Sequence, residues 1–196
     1  MLPQEFLQRW QSQRATVFQV DLLLRISEAL EESPECLGAA IVGSFAKGSA
    51  DRVSDLDLII FCTEGSGEAL LSRVCAEVPE VFLAFEGSHG PGSPFREFIL
   101  YNFTSVEVHV IAPSTTFTLK QPYVKVVDRS GVLLARASNK VAPGRGELVP
   151  YRHGDKWLPW ELFNCIKWLP RGEVAAAREY LVKLGRAIEA KAEHDG

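Results

Sequence analysis

Two apolar segments separated by a polar stretch constrain the fold of this chain more than any other feature. The first segment, residues 36–42, ends at Gly43-Ser44, and the second, residues 58–62, follows the sequence Ser54-Asp55-Leu56-Asp57. Short apolar runs bounded by glycine and polar residues are typical of buried β-strands. Because side chains alternate between the two faces of a strand, the two aspartates are expected to lie on one face. The pattern therefore predicts two strands, with a pair of carboxylates where the second strand begins.

The remaining sequence predicts a mixed chain of the α/β or α+β class. A long N-terminal helix is expected over residues 3–32, where Phe6 and Trp10 lie four residues apart and Leu23, Ile26 and Leu30 continue the helical spacing. A loop rich in glycine and proline is expected at residues 87–94. The other predicted strands are residues 81–85, 96–102, 105–111 and 123–127, and the other predicted helices are residues 64–77, 159–169 and 173–191.

The chain is expected to contain two parts joined by a linker. The first part is residues 1–137, which include the leading helix and all the predicted strands. Two prolines, several glycines and mixed charges make residues 138–155 the predicted linker. The helical pattern of residues 156–196 then predicts a C-terminal helical region.

Composition and charge exclude several classes of protein. The chain has 196 residues and a formal net charge of −4, which argues against nucleic acid as a partner because proteins that bind it are usually basic. No apolar run approaches the length of a membrane span, so no membrane association is expected. The four cysteines form no CxxC pair, and this pattern is typical of reduced, buried thiols in a cytoplasmic protein. They are Cys36, Cys62, Cys75 and Cys165.

A third carboxylate strengthens the prediction of a metal site. In the strand predicted at residues 105–111, alternation places Glu107 and His109 on the face opposite the valines. A glutamate within a β-branched strand is unusual unless its face is wet or its charge is paired. Carboxylates from adjacent strands suit Mg²⁺, which prefers oxygen ligands and leaves coordination positions for substrate phosphates. Asp55, Asp57 and Glu107 are therefore the predicted metal ligands and catalytic residues, for in-line displacement at phosphorus.

The polar stretch that leads from the first strand to Asp55 is predicted to bind phosphate. Gly43 allows a close backbone approach, and Ser44 can N-cap a short helix whose amides point toward an anion. Lys47 and Ser54 complete the predicted nucleotide-binding set. Each motif by itself also fits a turn or a helix cap, and Lys47 also fits a solvated loop charge. The ordered combination with a third carboxylate on another strand favours a functional site.

These residues resemble those of a known protein family. Gly43-Ser44, the sequence Ser54-Asp55-Leu56-Asp57-Leu58 and Glu107 on a later strand resemble the signature of the nucleotidyltransferase superfamily related to DNA polymerase β. That signature is a hydrophobic residue with Gly-Ser, a spacer, Asp-x-Asp, and a third acidic residue on a separate strand. The match covers about residues 36–131. Within the superfamily, the chain is similar to the aminoglycoside and lincosamide nucleotidyltransferases.

Two shorter segments carry the same resemblance. Val106-Glu107-Val108 resembles the Val-Glu-Val strand of streptomycin-type adenylyltransferases, in which the glutamate serves the metal site and is credited with a base function. Leu169-Pro170-Arg171-Gly172-Glu173 resembles a Leu-x-Arg-Gly-Glu stretch in the C-terminal helices of such enzymes. Glu161 falls in the region where kanamycin-type relatives carry a base, although a glutamate in a first helical turn is also a common partner of the helix dipole.

The resemblance implies a fold and an activity. The fold is a mixed β-sheet nucleotidyltransferase core with an N-terminal helix and a C-terminal helical unit. The activity is transfer of NMP from ATP or another NTP, with two Mg²⁺ ions, to a hydroxyl of a small acceptor such as an antibiotic. The chain is shorter than most two-domain relatives that modify antibiotics. The acceptor pocket is therefore expected to be smaller, or to be completed by a second subunit in a homodimer.

Two other functions fit the same motifs. One is a minimal nucleotidyltransferase that modifies a protein or an RNA, as antitoxins of toxin pairs do. Those minimal proteins usually lack the helices expected here at both ends of the chain. The other is a nucleotide-binding module without catalytic activity, against which the intact set of three carboxylates argues.

Overall fold

The chain forms two compact units, which a computed structural model describes over residues 2–141 and 149–195, with side chains as far as residue 191. The first unit is residues 1–142 and the second is residues 143–196. The predicted linker, 138–155, spans this division. Its residues 142–148 lie outside the described part of the chain, whereas residues 138–141 belong to a strand.

The first unit is a mixed α/β structure, and the fold class predicted from the sequence is confirmed. Its helices are α1 (Gln4–Gln11), α2 (Val17–Glu31), α3 (Gly43–Lys47), α4 (Gly67–Cys75) and α5 (Val132–Arg136). Its strands are β1 (Cys36–Ile41), β2 (Leu56–Cys62), β3 (Val81–Ser88), β4 (Pro94–Leu100), β5 (Ser105–Ile111), β6 (Leu119–Gln121), β7 (Val124–Asp128) and β8 (Ala137–Val141).

A six-stranded mixed sheet organises this unit. The strand order is β3-β4-β5-β2-β1-β7, and β6 pairs with β8 in a separate two-stranded sheet. Strands β2 and β5 are parallel, and the other neighbouring pairs of the large sheet are antiparallel. One face of the sheet packs against α1, α2 and α4 to form the main hydrophobic core. The opposite face carries a smaller core around Ile59 and Phe61, so its other positions remain available for polar side chains.

The predicted single helix over residues 3–32 is wrong, because the chain folds there into α1 and α2. Thr16 interrupts the pattern, and its hydroxyl donates a hydrogen bond to the main-chain oxygen of Trp10 over 3.1 Å. Trp10 is 2% exposed and packs edge-on against Phe45, with ring centroids 5.2 Å apart. Separating the two helices therefore lets α1 turn its aromatic side chains onto α3.

The structure also extends and adds to the predicted strands. The loop expected at residues 87–94 is shorter, because β3 continues to Ser88 and β4 begins at Pro94. Strand β6 and helix α5 were not expected from the sequence, and β8 occupies the start of the predicted linker. The strands predicted at residues 96–102 and 105–111 are confirmed as β4 and β5, which pair with each other in an antiparallel hairpin.

The second unit contains the two predicted C-terminal helices. Helix α6 spans Leu158–Trp168 and is followed by a turn of 3₁₀ helix at Leu169–Arg171, and helix α7 spans Val174–Asp195. Cys165, Trp168 and Ala177 form its buried cluster, against which Tyr180 packs. In the part of the chain that the structure describes, no helix combines the length and apolar character that a membrane crossing requires.

Candidate metal centre

The three predicted metal ligands lie on two neighbouring strands. Asp57 and Glu107 are direct partners in the parallel register of β2 and β5, and Asp55 immediately precedes β2. The residues that alternate with them are buried in the main core, as the period of two requires. Those buried residues are Leu56, Leu58, Val106 and Val108. The acidic side chains are therefore directed to the opposite face of the sheet.

The structure brings the three carboxylates together. Oxygen atoms of Asp55, Asp57 and Glu107 all lie within 4.8 Å of one another, and each side chain is partly exposed. The Ser105 hydroxyl, which was not predicted from the sequence, donates a hydrogen bond to Oδ1 of Asp55. Carboxylates at this spacing repel one another, and a divalent cation bound between them would offset that repulsion. The donor set is entirely oxygen and therefore fits Mg²⁺.

Gly43 brings the backbone against this cluster. It begins α3 with a φ of +65°, and a Cβ atom at this position would lie 1.7 Å from Oδ2 of Asp57. Only glycine leaves room for the carboxylate beside this left-handed turn. The prediction that Ser44 caps the helix is wrong, since Ser44 lies inside α3 and the cap residue is Val42, which makes no side-chain cap bond.

The other two predicted nucleotide-binding residues lie on either side of the polar stretch. Lys47 is the last residue of α3 and is exposed. Ser54 is 2% exposed, and its hydroxyl both donates to Oδ1 of Asp51 (2.9 Å) and accepts from the Asp51 main-chain N–H (2.8 Å). Ser54 thus closes the turn that leads into Asp55. Its contact with a nucleotide, like that of Lys47, stays a prediction.

Two further polar side chains lie beside β5, and neither was predicted from the sequence. Glu97 on β4 is the register partner of Glu107 across the hairpin, and counting residues back from the short turn could have found it. His89 follows β3, and its Nε2 lies 2.9 Å from Nδ1 of His109. Partial burial, and then the neighbouring His109, lower the pKa of His89. No sequence signal pairs His89 with this strand, because it lies in an irregular segment.

Glu161 belongs to the second unit, where it is buried at 8% exposure. Its Oε1 accepts a hydrogen bond from the Tyr151 main-chain N–H over 2.7 Å, and its Oε2 accepts one from the Tyr180 hydroxyl. Burial, followed by the bond to Glu161, raises the pKa of Tyr180. Glu161 is thus more than a helix-dipole partner, since it joins two segments of its own unit. Its role as a base stays a prediction.

The first unit therefore combines an acidic cluster with a glycine turn in direct contact with it. Such a combination can bind a divalent cation and place an anion beside it.

A scan against protein-family models found none that matches this chain, and a search of the curated proteins found no significant relative.

Proposed function

We propose that this protein is an Mg²⁺-dependent nucleotidyltransferase that transfers NMP from ATP or another NTP to a hydroxyl of a small acceptor. One observation carries the proposal: ligand oxygens of Asp55, Asp57 and Glu107 lie within 4.8 Å of one another. The turn at Gly43 lies against the same cluster, since a Cβ atom there would overlap Oδ2 of Asp57. A group bound at that turn would therefore adjoin a cation held by the carboxylates.

Each residue of the site has a distinct role in this proposal. Asp55 and Asp57 would hold Mg²⁺, and Glu107 would complete the ligand set. When bound, Mg²⁺ would neutralise charge on the phosphates that react. Glu107 would also accept the proton of the acceptor hydroxyl, and its 25% side-chain exposure leaves it within reach of a substrate.

Gly43 and Ser44 would hold the β- and γ-phosphates of the NTP. Main-chain N–H groups in a turn with a left-handed glycine can surround an anion, and Ser44 adds a hydroxyl donor. The Ser105 hydroxyl has a supporting role, because its hydrogen bond to Asp55 fixes one carboxylate oxygen. The rest of that carboxylate can then face the cation.

Binding at this site can be tested without knowing the acceptor. Thermal unfolding of the full chain is measured in Mg²⁺ with each of the common NTPs, and in a chelator. A ligand present at about 100 times its Kd stabilises the folded state by about 2.7 kcal/mol. For a chain of this size, that corresponds to a rise in Tm of about 5–10 °C.

Asp55→Asn and Asp57→Asn are expected to remove this stabilisation while the proteins remain folded in the chelator. Glu86→Gln is the matched control, because the Glu86 side chain is exposed and its contact with Arg96 is long, at 3.8 Å. The proposal is supported if both aspartate variants lose the stabilisation by Mg²⁺ and NTP while Glu86→Gln keeps it. A wild-type protein that no NTP stabilises in Mg²⁺, or one whose response survives Asp57→Asn, contradicts it.

A further inference from the structure

A second group of metal-binding side chains lies beside the carboxylate cluster, on β4 and β5. Ligand atoms of Glu97, Glu107 and His109 all lie within 4.8 Å of one another. The antiparallel register explains the grouping, because Glu97 is opposite Glu107 and Phe95 is opposite His109. The four side chains consequently share one face of the hairpin. Unlike the first group, this one contains an imidazole nitrogen.

The spacing within the group suits two ligands of one ion better than a direct contact. Nε2 of His109 lies 3.6 Å from Oε2 of Glu107. That distance exceeds the usual limit of about 3.2 Å for a hydrogen bond of this type. Two ligands that each lie about 2.1 Å from a tetrahedral Zn²⁺ ion are about 3.4 Å apart. The observed separation is therefore close to the value that a shared ion would impose.

The His109 ring is already oriented for such a role. Its Nδ1 lies 2.9 Å from Nε2 of His89, so the nitrogen on the other edge of the ring is the one that faces Glu107. Phe95 packs against both imidazoles, with centroids 5.3 Å from His109 and 5.0 Å from His89. Metal-binding histidines are usually held in this way, through a hydrogen bond from the nitrogen that does not bind the metal.

We propose that Glu97, Glu107 and Nε2 of His109 form a second metal site, which takes a transition-metal ion of the Zn²⁺ class in preference to Mg²⁺. Imidazole suits Zn²⁺ and its neighbours in the first transition row, whereas Mg²⁺ favours oxygen. Three protein ligands leave a fourth position for water or a substrate. His89 is a positioning residue, since it acts on the metal through His109. Glu107 is common to both groups, but the new site does not require nucleotidyl transfer.

The proposal is tested by titrating the full chain with Zn²⁺ in millimolar Mg²⁺ and without nucleotide, by calorimetry and by equilibrium dialysis. One Zn²⁺ ion is expected to bind per chain. Glu97→Gln and His109→Gln are each expected to weaken binding more than about tenfold. His89→Phe keeps a ring beside Phe95 and is expected to weaken it about tenfold through loss of the orienting bond. A merely electrostatic attraction to the carboxylates would not respond to this change.

His153→Gln is the control histidine variant, because its ring packs on Trp157 in the second unit, 5.1 Å between centroids. Its Zn²⁺ affinity is expected to equal that of the wild type. X-ray absorption of the Zn²⁺-loaded wild type, which needs no variant, should show one imidazole nitrogen among oxygen ligands. No saturable binding in Mg²⁺, affinity that survives His109→Gln, or an all-oxygen ligand shell would overturn the proposal. None of these results would bear on NTP binding at Asp55 and Asp57.

Discussion

The contact between Gly43 and Asp57 determines the geometry of the site at the scale of single residues. The glycine has a φ of +65°, and the space that a Cβ atom would fill already contains Oδ2 of Asp57. The close approach of backbone and carboxylate therefore depends on the missing side chain. Gly65 provides a comparison, because its φ is +76° and a Cβ atom there would have no neighbour within 4 Å.

Gly43→Ala is expected to damage the site much more than Gly65→Ala. Both changes place a Cβ atom on left-handed backbone, which costs roughly 1–2 kcal/mol. Only the first also displaces the Asp57 carboxylate. Stabilisation by Mg²⁺ and NTP should therefore be lost in Gly43→Ala and kept in Gly65→Ala, as measured by thermal unfolding in each condition. Equal responses of the two variants would show that the contact does not control binding.

At the scale of elements, Arg129 joins the end of one helix to the beginning of the central sheet. It follows β7, and its guanidinium donates hydrogen bonds to main-chain oxygens at the C-terminal end of α2 and at the first residue of β1. The acceptors are the oxygens of Leu30, Glu31, Ser33 and Cys36. A cation at the C-terminal end of a helix also interacts favourably with the helix dipole.

Arg129→Ala is expected to lower the free energy of unfolding by about 2 kcal/mol, because hydrogen bonds to a charged group contribute about 1.5–3 kcal/mol. Arg129→Lys keeps the charge but not the forked set of donors, so an intermediate loss is expected. Arg25→Ala is the control on the exposed surface of α2, where a change within about 0.5 kcal/mol is usual. Urea unfolding measures the free energy of unfolding of all three variants. Equal stability of Arg129→Ala and Arg25→Ala would contradict the role assigned to Arg129.

At the scale of the whole molecule, buried thiols are expected to lower the free energy of unfolding as the pH becomes alkaline. Burial raises the pKa of the Cys36 thiol from 9.0 to about 11, and the nearby Arg129 opposes this effect only in part. Burial also raises the pKa of Cys62, Cys75 and Cys165. The folded state therefore keeps protons that the unfolded chain releases above its ordinary thiol pKa. The contribution of these protonated thiols to the free energy of unfolding is fully present below that pH. It is lost as the pH rises toward about 11.

For Cys36 alone, the expected loss across this range approaches roughly 3 kcal/mol. Chemical denaturation between neutral pH and the Cys36 pKa of about 11 measures it. Cys36→Ala is expected to be less stable at neutral pH, because the residue is 0% exposed and its loss leaves a small cavity. The variant should then lose less stability than the wild type as the pH rises. Parallel pH profiles would contradict this account.

Residues of the site that follow from alternation within one strand could be predicted from the sequence, whereas residues brought in by pairing with another strand could not. Alternation within β2 and β5 places Asp57 and Glu107 on one face, and the structure makes them direct partners. Glu97 was missed because its position depends on the register between two strands, which alternation in one strand does not specify. The break between α1 and α2 was missed because it depends on the Thr16 hydroxyl and on tertiary packing of Trp10.

Nucleotidyl transfer itself can be tested by following the two ends of the NTP separately. The full chain is incubated with Mg²⁺, a panel of aminoglycosides, lincosamides, nucleotides and RNAs, and an NTP labelled at either the α- or the γ-phosphorus. We expect α-label to enter an acceptor and γ-label to leave as pyrophosphate, and we expect Asp57→Asn to abolish both. Transfer of γ-label to an acceptor, transfer that persists in Asp57→Asn, or no transfer from any NTP across the panel would contradict it.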